Sequence, residues 1–501
     1  MTQTAAVPAL QKVDVAILGA GFGGLAMAIR LQQEGRMDYV LLEKGDNYGG
    51  TWRENTYPGA ACDVQSHMYS LSFAPKTNWS KRYAPWNEIQ DYILDTARQF
   101  SLDARTRFHA EVVSADYQPQ TARWLLTLRD GSQVDCRVFV LASGPLHVPS
   151  IPRLKGIESF EGSVFHSAQW NHDLDLTGKN VVSIGTGGSA IQYVPEIAPQ
   201  VKQLYVLQRT AAWVIPRDER QYSALDQTLF SRFPLLRQLH RARLYWSNES
   251  RVVPILRPEI VRHAQKLVEL FIRYQVKDKA LVKKLTPDYV IGCKRVLISN
   301  KYYPTFNRPN VELVTEGIAE VRAHSVLLRD GRELPADVII YGTGFITDPR
   351  IYMKNFRVTG LPGHELAQDW KDGAESYYGI STAGYPNLFQ LVGPNTTLGH
   401  NSIIFMIEAQ VNYILDLLKQ MDKKGVQAVD VRADVQQRFN AKVQKQLENT
   451  VWSSGCVSWY QQEGGKNFAL WPTYTWKYWL DTRKARLEDY QLIRTAAASA
   501  A

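Results

Sequence analysis

No apolar run in this sequence approaches the ~18 residues needed to span a bilayer, so no membrane-spanning helix is expected. Cysteine is scarce. Cys62, Cys136, Cys293 and Cys456 stand far apart, with no CxxC pair. That spacing argues for a reducing compartment and against dithiol redox chemistry, and it excludes a disulfide reductase. The amino-terminal MTQTAAVPALQKVD lacks a charged segment followed by an apolar one, so a cytoplasmic protein is expected. The carboxy-terminal RTAAASAA reads as a frayed tail. No dense Lys/Arg block accompanies the net charge of +9, so a generally basic surface is expected and not a nucleic-acid partner. His166 has no second ligand three or four residues away, and no metal site is expected there.

A chain of 501 residues is too long for one core and predicts two or three domains, and 45% apolar with 21% charged residues suits a globular protein. The clearest signal lies near the start. The β-type run VDVAIL leads into Gly19-Ala-Gly21-Phe-Gly-Gly24 and the helical LAMAIRLQQEG. Strand, tight turn and helix are the setting in which GxGxxG binds a dinucleotide. Gly19 makes the turn, Gly21 admits a pyrophosphate and Gly24 lets helix and strand pack closely. The next strand, DYVLLEK, carries Glu43 nineteen residues after Gly24. A carboxylate there bonds a free ribose hydroxyl and repels a 2′-phosphate, which specifies FAD or NAD. The following loop, from Gly49-Gly50 through Trp52 to Tyr57-Pro58-Gly59, can lie along a flat ligand. Asp63 follows it; local sequence alone favours a solvated loop acid there.

A second fingerprint starts from KNVVSI and continues through Gly185-Thr186-Gly187-Gly188-Ser189-Ala190 into AIQYVPEIA. GxGxxA is an accepted variant. Its second strand, LYVLQR, ends in Gln208-Arg209, where the first site has its acid. Arginine offers a bidentate guanidinium to a 2′-phosphate, so NADPH is expected over NADH. The alternative for Arg209 is a surface residue at a strand end. Two such sites imply electron flow from NADPH to a flavin.

The fold class is therefore α/β, with two Rossmann-like dinucleotide-binding domains for FAD and NADP and a helical insert. Residues 1–144 form the first part of the FAD domain, and 152–340 the NADP domain with its insert at about 219–290. Residues 341–501 return to the FAD domain and add a C-terminal segment. Two hinges are expected: near 142–152, where Pro145, Pro149 and Pro152 follow Gly144, and near 341–348, around Gly342-Thr343-Gly344. In the insert, Val261, Ala264, Val268, Phe271 and Ile272 recur at helical spacing and suggest one wall of a substrate pocket. Its basic face is read as solvated in preference to resting on a membrane. Lys294-Arg295 is either a salt-bridged structural group or an anion binder. The aromatic-rich VSWYQQEGGKNFALWPTYTWKYW either covers an apolar pocket or packs on the core.

Collected, these residues resemble the class B flavin monooxygenases, specifically the type I Baeyer–Villiger monooxygenases, over essentially the whole chain. The signature FxGxxxHxxxW, followed by Pro or Asp, matches Phe160, Gly162, His166 and Trp170, and departs at Asn171. Relatives that oxidise nitrogen or sulfur usually carry Tyr or Phe in place of Trp170. A second signature is met in full by Gly49, Gly50, Trp52, Tyr57, Pro58, Gly59 and Asp63. Gly342 stands where the family commonly has Ala.

The resemblance implies that Arg295 is the catalytic arginine and Asp63 its partner. It implies FAD contacts at Gly50, Thr51, Trp52, Tyr69 and Val112, and NADP contacts at Gln192, Arg209, Thr210 and Lys294. The implied cycle reduces FAD with NADPH, adds O2 at flavin C4a and lets that peroxide attack a ketone, giving an ester or lactone. An N- or S-oxygenating enzyme and a non-oxygenating redox sensor are the alternatives. The expected partners are a small apolar ketone and O2, with a monomer or weak homo-oligomer as the assembly. On this reading Phe160 and Trp170 anchor the 160–170 stretch, Gly162 permits its turn, and His166 hydrogen-bonds across the domain boundary.

Overall fold

The computed structural model describes residues 10–456, 458–461 and 465–494. The expected tail after Arg494 lies outside them. The apolar run at the start forms β1 (Leu10–Leu18), with Val15, Ala16 and Ile17 fully buried. It is a central strand covered on both faces, which is why its core end is continuously apolar and does not alternate. The crossover helix α1 (Phe22–Gln33) leads to β2 (Tyr39–Leu42), parallel to β1. Two further helices follow, α2 (Thr51–Glu54) and α3 (Trp86–Gln99). The short β3 (Thr106–Arg107) pairs with β2, and the alternating segments become β4 (Val112–Gln118), β5 (Arg123–Leu128) and β6 (Gln133–Leu141).

A second, wholly parallel sheet is built from β7 (Ser163–His166), β8 (Asn180–Ile184) and β9 (Gln203–Leu207), with α4 (Ala190–Ile197) between the last two. Two-residue strands β10 (Val214–Ile215) and β11 (Leu297–Ile298) pair with each other in parallel. Between them the chain is helical: α5 (Ala224–Arg232), α6 (Pro234–Glu249), α7 (Val252–Leu256), α8 (Pro258–Gln275) and α9 (Lys279–Leu285). Val261 and Ile272 face inward as their spacing predicts, whereas Ala264 is exposed. β12 (Val311–Val314) extends the sheet beside β9. A small antiparallel sheet follows, made of β13 (Ile318–Arg322), β14 (Ser325–Leu328) and β15 (Glu333–Pro335). β16 (Val338–Tyr341) then inserts between β8 and β7, giving the order β12-β9-β8-β16-β7. The chain returns to the first sheet as β17 (Arg357–Thr359), beside β4, and β18 (Leu388–Gln390), beside β6.

The two connections between the sheets run side by side. Ser150 N–H donates to the Gly344 carbonyl at 2.8 Å and Ile346 N–H to Val148 at 2.8 Å. The three prolines cannot donate, and these two bonds pair one donor of each connection with a carbonyl of the other. The helix Ile403–Lys423 packs its buried face on α1. Among the described residues no helix is long and apolar enough to cross a membrane.

One cysteine expectation is corrected. Cys293 and Cys456, 163 residues apart, form a disulfide with a Cα–Cα distance of 6.3 Å, while Cys62 and Cys136 are free and buried. Sequence spacing excludes a CxxC motif but says nothing about which distant residues folding brings together.

Candidate active site

Gly19 adopts φ +104°, and a Cβ there would lie 2.7 Å from the Ala142 carbonyl oxygen. A Cβ on Gly24 would overlap the Gly19 carbonyl, so α1 can sit this close to β1 only with glycine at that position. Gly24 therefore packs helix on strand and does not line the cavity, unlike Gly19 and Gly21. Glu43 is buried, and each of its oxygens is used. Ala20 N–H donates to Oε2 at 2.9 Å; Gly45 N–H at 2.8 Å and Arg53 Nη1 at 3.1 Å donate to Oε1. Gly49 and Gly50, at φ +136° and +53°, turn the chain into α2. There Trp52 Nε1 donates to Tyr69 Oη at 3.3 Å, and the two rings meet edge-on at 5.7 Å. Thr51, Trp52, Tyr69 and Val112 all reach the same cavity.

The second turn repeats the first. Gly185 has φ +112°, and a Cβ on it would overlap the Gly342 carbonyl, whereas Gly187 has open space where a Cβ would be. Ala190, read as a cofactor contact, is fully buried and off the cavity, packed where α4 meets the Gly342 turn. Thr186, Gly188 and Ser189 do line it. Gln192 lines the cavity and also bridges the sheets: it accepts from Tyr57 Oη at 2.9 Å and donates to the Ala61 carbonyl at 3.0 Å.

Pairing of β10 with β11 brings the residues just before each strand together. Arg209 and Thr210 thus share the cavity with Lys294 and Arg295. Neither Arg209 nor Lys294 has an ion-pair partner among the described residues. Lys294 Nζ lies 4.8 Å over the Tyr289 ring; burial first, then the Arg209 charge, depresses its pKa. Asp288 opposes this shift only weakly, and two neighbouring cations that no carboxylate pairs with form a site complementary to an anion.

Asp63 follows the turn at Gly59, φ +78°, and meets Arg295 across 232 residues. Arg295 Nε and Nη2 donate to Asp63 Oδ2 at 3.1 and 2.5 Å, and Nη1 reaches the Leu398 carbonyl at 3.4 Å. The loop-acid alternative for Asp63 therefore gives way to an ion pair. The Asp63 charge raises the Arg295 pKa above the guanidinium range against the opposing effect of burial. About a third of each side chain, 35% and 33%, remains accessible, and both residues line the cavity. Two of the five guanidinium N–H groups are not taken by these contacts.

Sequence reasoning missed Tyr460. It is buried beside Arg295; burial pushes its phenol up to about 12 while the guanidinium pulls it down. The only signal was the aromatic richness of 457–479, and the segment divides between the two readings offered for it. Ser458 and Trp459 line the cavity, whereas Trp471 and Tyr478 are buried in the core. The helical insert does not form a pocket wall. No residue from Trp213 to Asp288 lines the cavity; the insert backs its wall, with Glu249 of α6 accepting from cavity-lining Asn401 Nδ2 at 2.7 Å and the Lys284 carbonyl accepting from cavity-lining Gln208 Nε2 at 2.7 Å.

The 160–170 stretch lies off the cavity. Trp170 packs edge-on against Phe165 at 5.1 Å and at a tilt against Tyr193 at 5.4 Å, and a Cβ on Gly162 would overlap the Asp337 carbonyl. His166 Nδ1 accepts the Ala168 N–H at 3.1 Å, which leaves the proton on Nε2 to donate to the Gly344 carbonyl at 3.0 Å. Burial depresses its pKa and favours this neutral form. Asn171 Oδ1 accepts the Asp173 N–H at 3.1 Å, a turn contact an aspartate makes equally well.

The cavity has a volume of about 1600 Å³ and joins both glycine turns to the Arg295–Asp63 pair. That exceeds the space one small ligand needs. Comparison with known proteins agrees in extent. A family model described as flavin-binding monooxygenase-like matches residues 12–352. A Baeyer–Villiger monooxygenase of Pseudomonas aeruginosa is 44% identical over 494 residues, covering 98% of this chain and 93% of its own. One from Streptomyces coelicolor is 43% identical, covering 97% and 94%. Among solved structures, oxidized steroid monooxygenase bound to NADP superposes with a TM-score of 0.88 at 28% identity, covering 97% of this chain and 100% of that one. OTEMO in complex with FAD and NADP gives 0.88 at 27% identity, with 96% and 99% covered.

Proposed function

The chain belongs to the flavin-binding monooxygenase-like family, and from that premise we propose that it is a Baeyer–Villiger monooxygenase using FAD and NADPH. The net reaction consumes a ketone, O2, NADPH and a proton, and yields an ester or lactone, NADP⁺ and water. The observation that carries this reading is the Arg295–Asp63 pair, set at a cavity that two separate dinucleotide turns share.

FAD, when bound, supplies hydride acceptance from NADPH and activation of O2. Residues 1–144 and 341–501 are assigned to its domain, and 152–340 to NADPH. Gly19, Gly21 and Gly50 let backbone approach the FAD pyrophosphate, Glu43 takes a ribose hydroxyl on Oε2, and Trp52 and Tyr69 hold one edge of the ligand. Lys294 and Arg209 hold the 2′-phosphate, the charge their mutual repulsion calls for. Arg295 presents its two uncommitted N–H groups to negative charge that develops during oxygen transfer. Asp63 keeps that guanidinium charged and in one orientation, so no reorganisation is needed at the moment of reaction. Leu146, Leu398, Trp459 and Phe468 line the cavity and exclude water. Their apolar character suits an apolar ketone. A cytoplasmic monomer or weak homo-oligomer completes the assignment.

Turnover of linear, cyclic and aryl ketones under ¹⁸O2 tests it. The expected product is an ester or lactone carrying one ¹⁸O, formed mole for mole with NADPH consumed. Oxidation of amines and sulfides with every ketone left intact would overturn the assignment.

A further inference from the structure

The helix α8 is apolar on two opposite sides. Val261 and Ile272 are buried against the body of the protein at 4% and 0% exposure. Ile260, Leu267, Leu270 and Tyr274 lie on the other side, 41%, 69%, 58% and 86% exposed. At 100° per residue these four fall within about 80° of arc, so they form a stripe and not a scatter. α6 repeats the pattern: Leu235, Leu239 and Trp246 are 68%, 59% and 59% exposed and fall within about 40° of one another. Single exposed apolar side chains need no explanation; two unpartnered stripes on neighbouring parts of one insert do.

Charge identifies what covers them. Residues 224–285 carry thirteen Lys and Arg against five Asp and Glu, a net +8, which leaves the rest of the chain near neutral at +1 of the total +9. Arg262, Lys266 and Arg273 on α8, and Arg232 and Arg243 beside the α6 stripe, are exposed. We propose that this insert is a docking surface for an anionic phospholipid bilayer, with the α8 stripe entering the headgroup region and Arg262, Lys266 and Arg273 on its flank bound to lipid phosphates. An amphipathic helix with Leu and aromatic residues on one face and basic residues at its flank lies in the plane of such an interface. A second copy of the chain is a poor occupant, since a symmetric contact would set +8 against +8. A nucleic acid would take the charges but leave the leucines in water. The surface sits outside the cavity.

Flotation of the full-length flavoprotein with vesicles tests this. Binding is expected to equimolar phosphatidylcholine and phosphatidylglycerol and to be absent with phosphatidylcholine alone. Leu267→Ser/Leu270→Ser should weaken binding by about tenfold or more, and so should Arg262→Glu/Lys266→Glu, with turnover of a water-soluble ketone unchanged. Failure of the wild type to float with anionic vesicles would overturn the proposal. So would full binding by the leucine variant, which would indicate electrostatic adhesion alone. Sedimentation showing a dimer that the leucine variant dissolves would assign the stripes to a second copy instead.

Discussion

At the scale of single residues, the function proposed above separates recognition from chemistry by how each cation is partnered. Arg295 has a carboxylate 2.5 Å away, and its charge is secured; Lys294, its neighbour in sequence, has no ion pair among the described residues, and burial and Arg209 outweigh the more distant Asp288. Lys294 is thus the cation whose charge is the easier to lose. Its depressed pKa means that free enzyme sheds this proton below lysine's ordinary value, while an anionic ligand binds the protonated form. KM for NADPH should therefore rise as pH climbs into the alkaline range, and Lys294→Arg should flatten that rise. Lys294→Ala should raise KM for NADPH by about tenfold or more and change KM for NADH little, since one charge-assisted pair contributes about 1.5–3 kcal/mol. Initial rates with both nucleotides across pH check this. The sequence made Arg209 legible because it stands where the first fingerprint has an acid. Asp63 was not legible from its surroundings: its partner is 232 residues away, and only the family signature pointed to it. Tyr460 had only the aromatic richness of its surroundings to mark it, since its burial against Arg295 is set by the fold.

At the scale of elements, the strand–turn–helix units are what a reader of sequence sees best, because their glycines answer to local geometry. Gly24→Ala would put a methyl group into the Gly19 carbonyl, backbone that cannot turn aside, with Leu41 Cδ1 3.0 Å from it as well. It should destabilise the protein by about 1–3 kcal/mol, seen as a lower melting temperature and partial loss of flavin on purification. The insert shows the opposite case. Its helical periodicity was readable, but whether an apolar position faces the core, a pocket or solvent depends on neighbours the period does not name. Hence Ile272 is buried while Leu270 is exposed, and the expected pocket wall lies one layer out. The Cys293–Cys456 bridge is likewise tertiary information. It ties the segment before Lys294-Arg295 to the loop that carries Trp459 and Tyr460. Cys456→Ser, or reduction of the wild type, should lower the melting temperature, consistent with about 2–4 kcal/mol for a disulfide closing a long loop. Thiol counting without reductant should find two free cysteines, Cys62 and Cys136.

At the scale of the whole molecule, two sheets meet at one cavity and are joined by two connections that hydrogen-bond to each other, with His166 clamping the second through Gly344. The interrupted arrangement of the first sheet was legible because the chain announces both crossings, with three prolines in one and a Gly-Thr-Gly turn in the other. Their pairing was not, since backbone bonding between distant segments leaves no pattern in either. On the function proposed above, this architecture delivers hydride and oxygen to a site where Arg295 is needed for oxygen transfer and not for nucleotide binding. Arg295→Ala measured in two half-reactions tests it most directly. Flavin reduction by NADPH is expected at near the wild-type rate, and ester formation reduced by about a hundredfold or more. An ester yield equal to that of the wild type would contradict it.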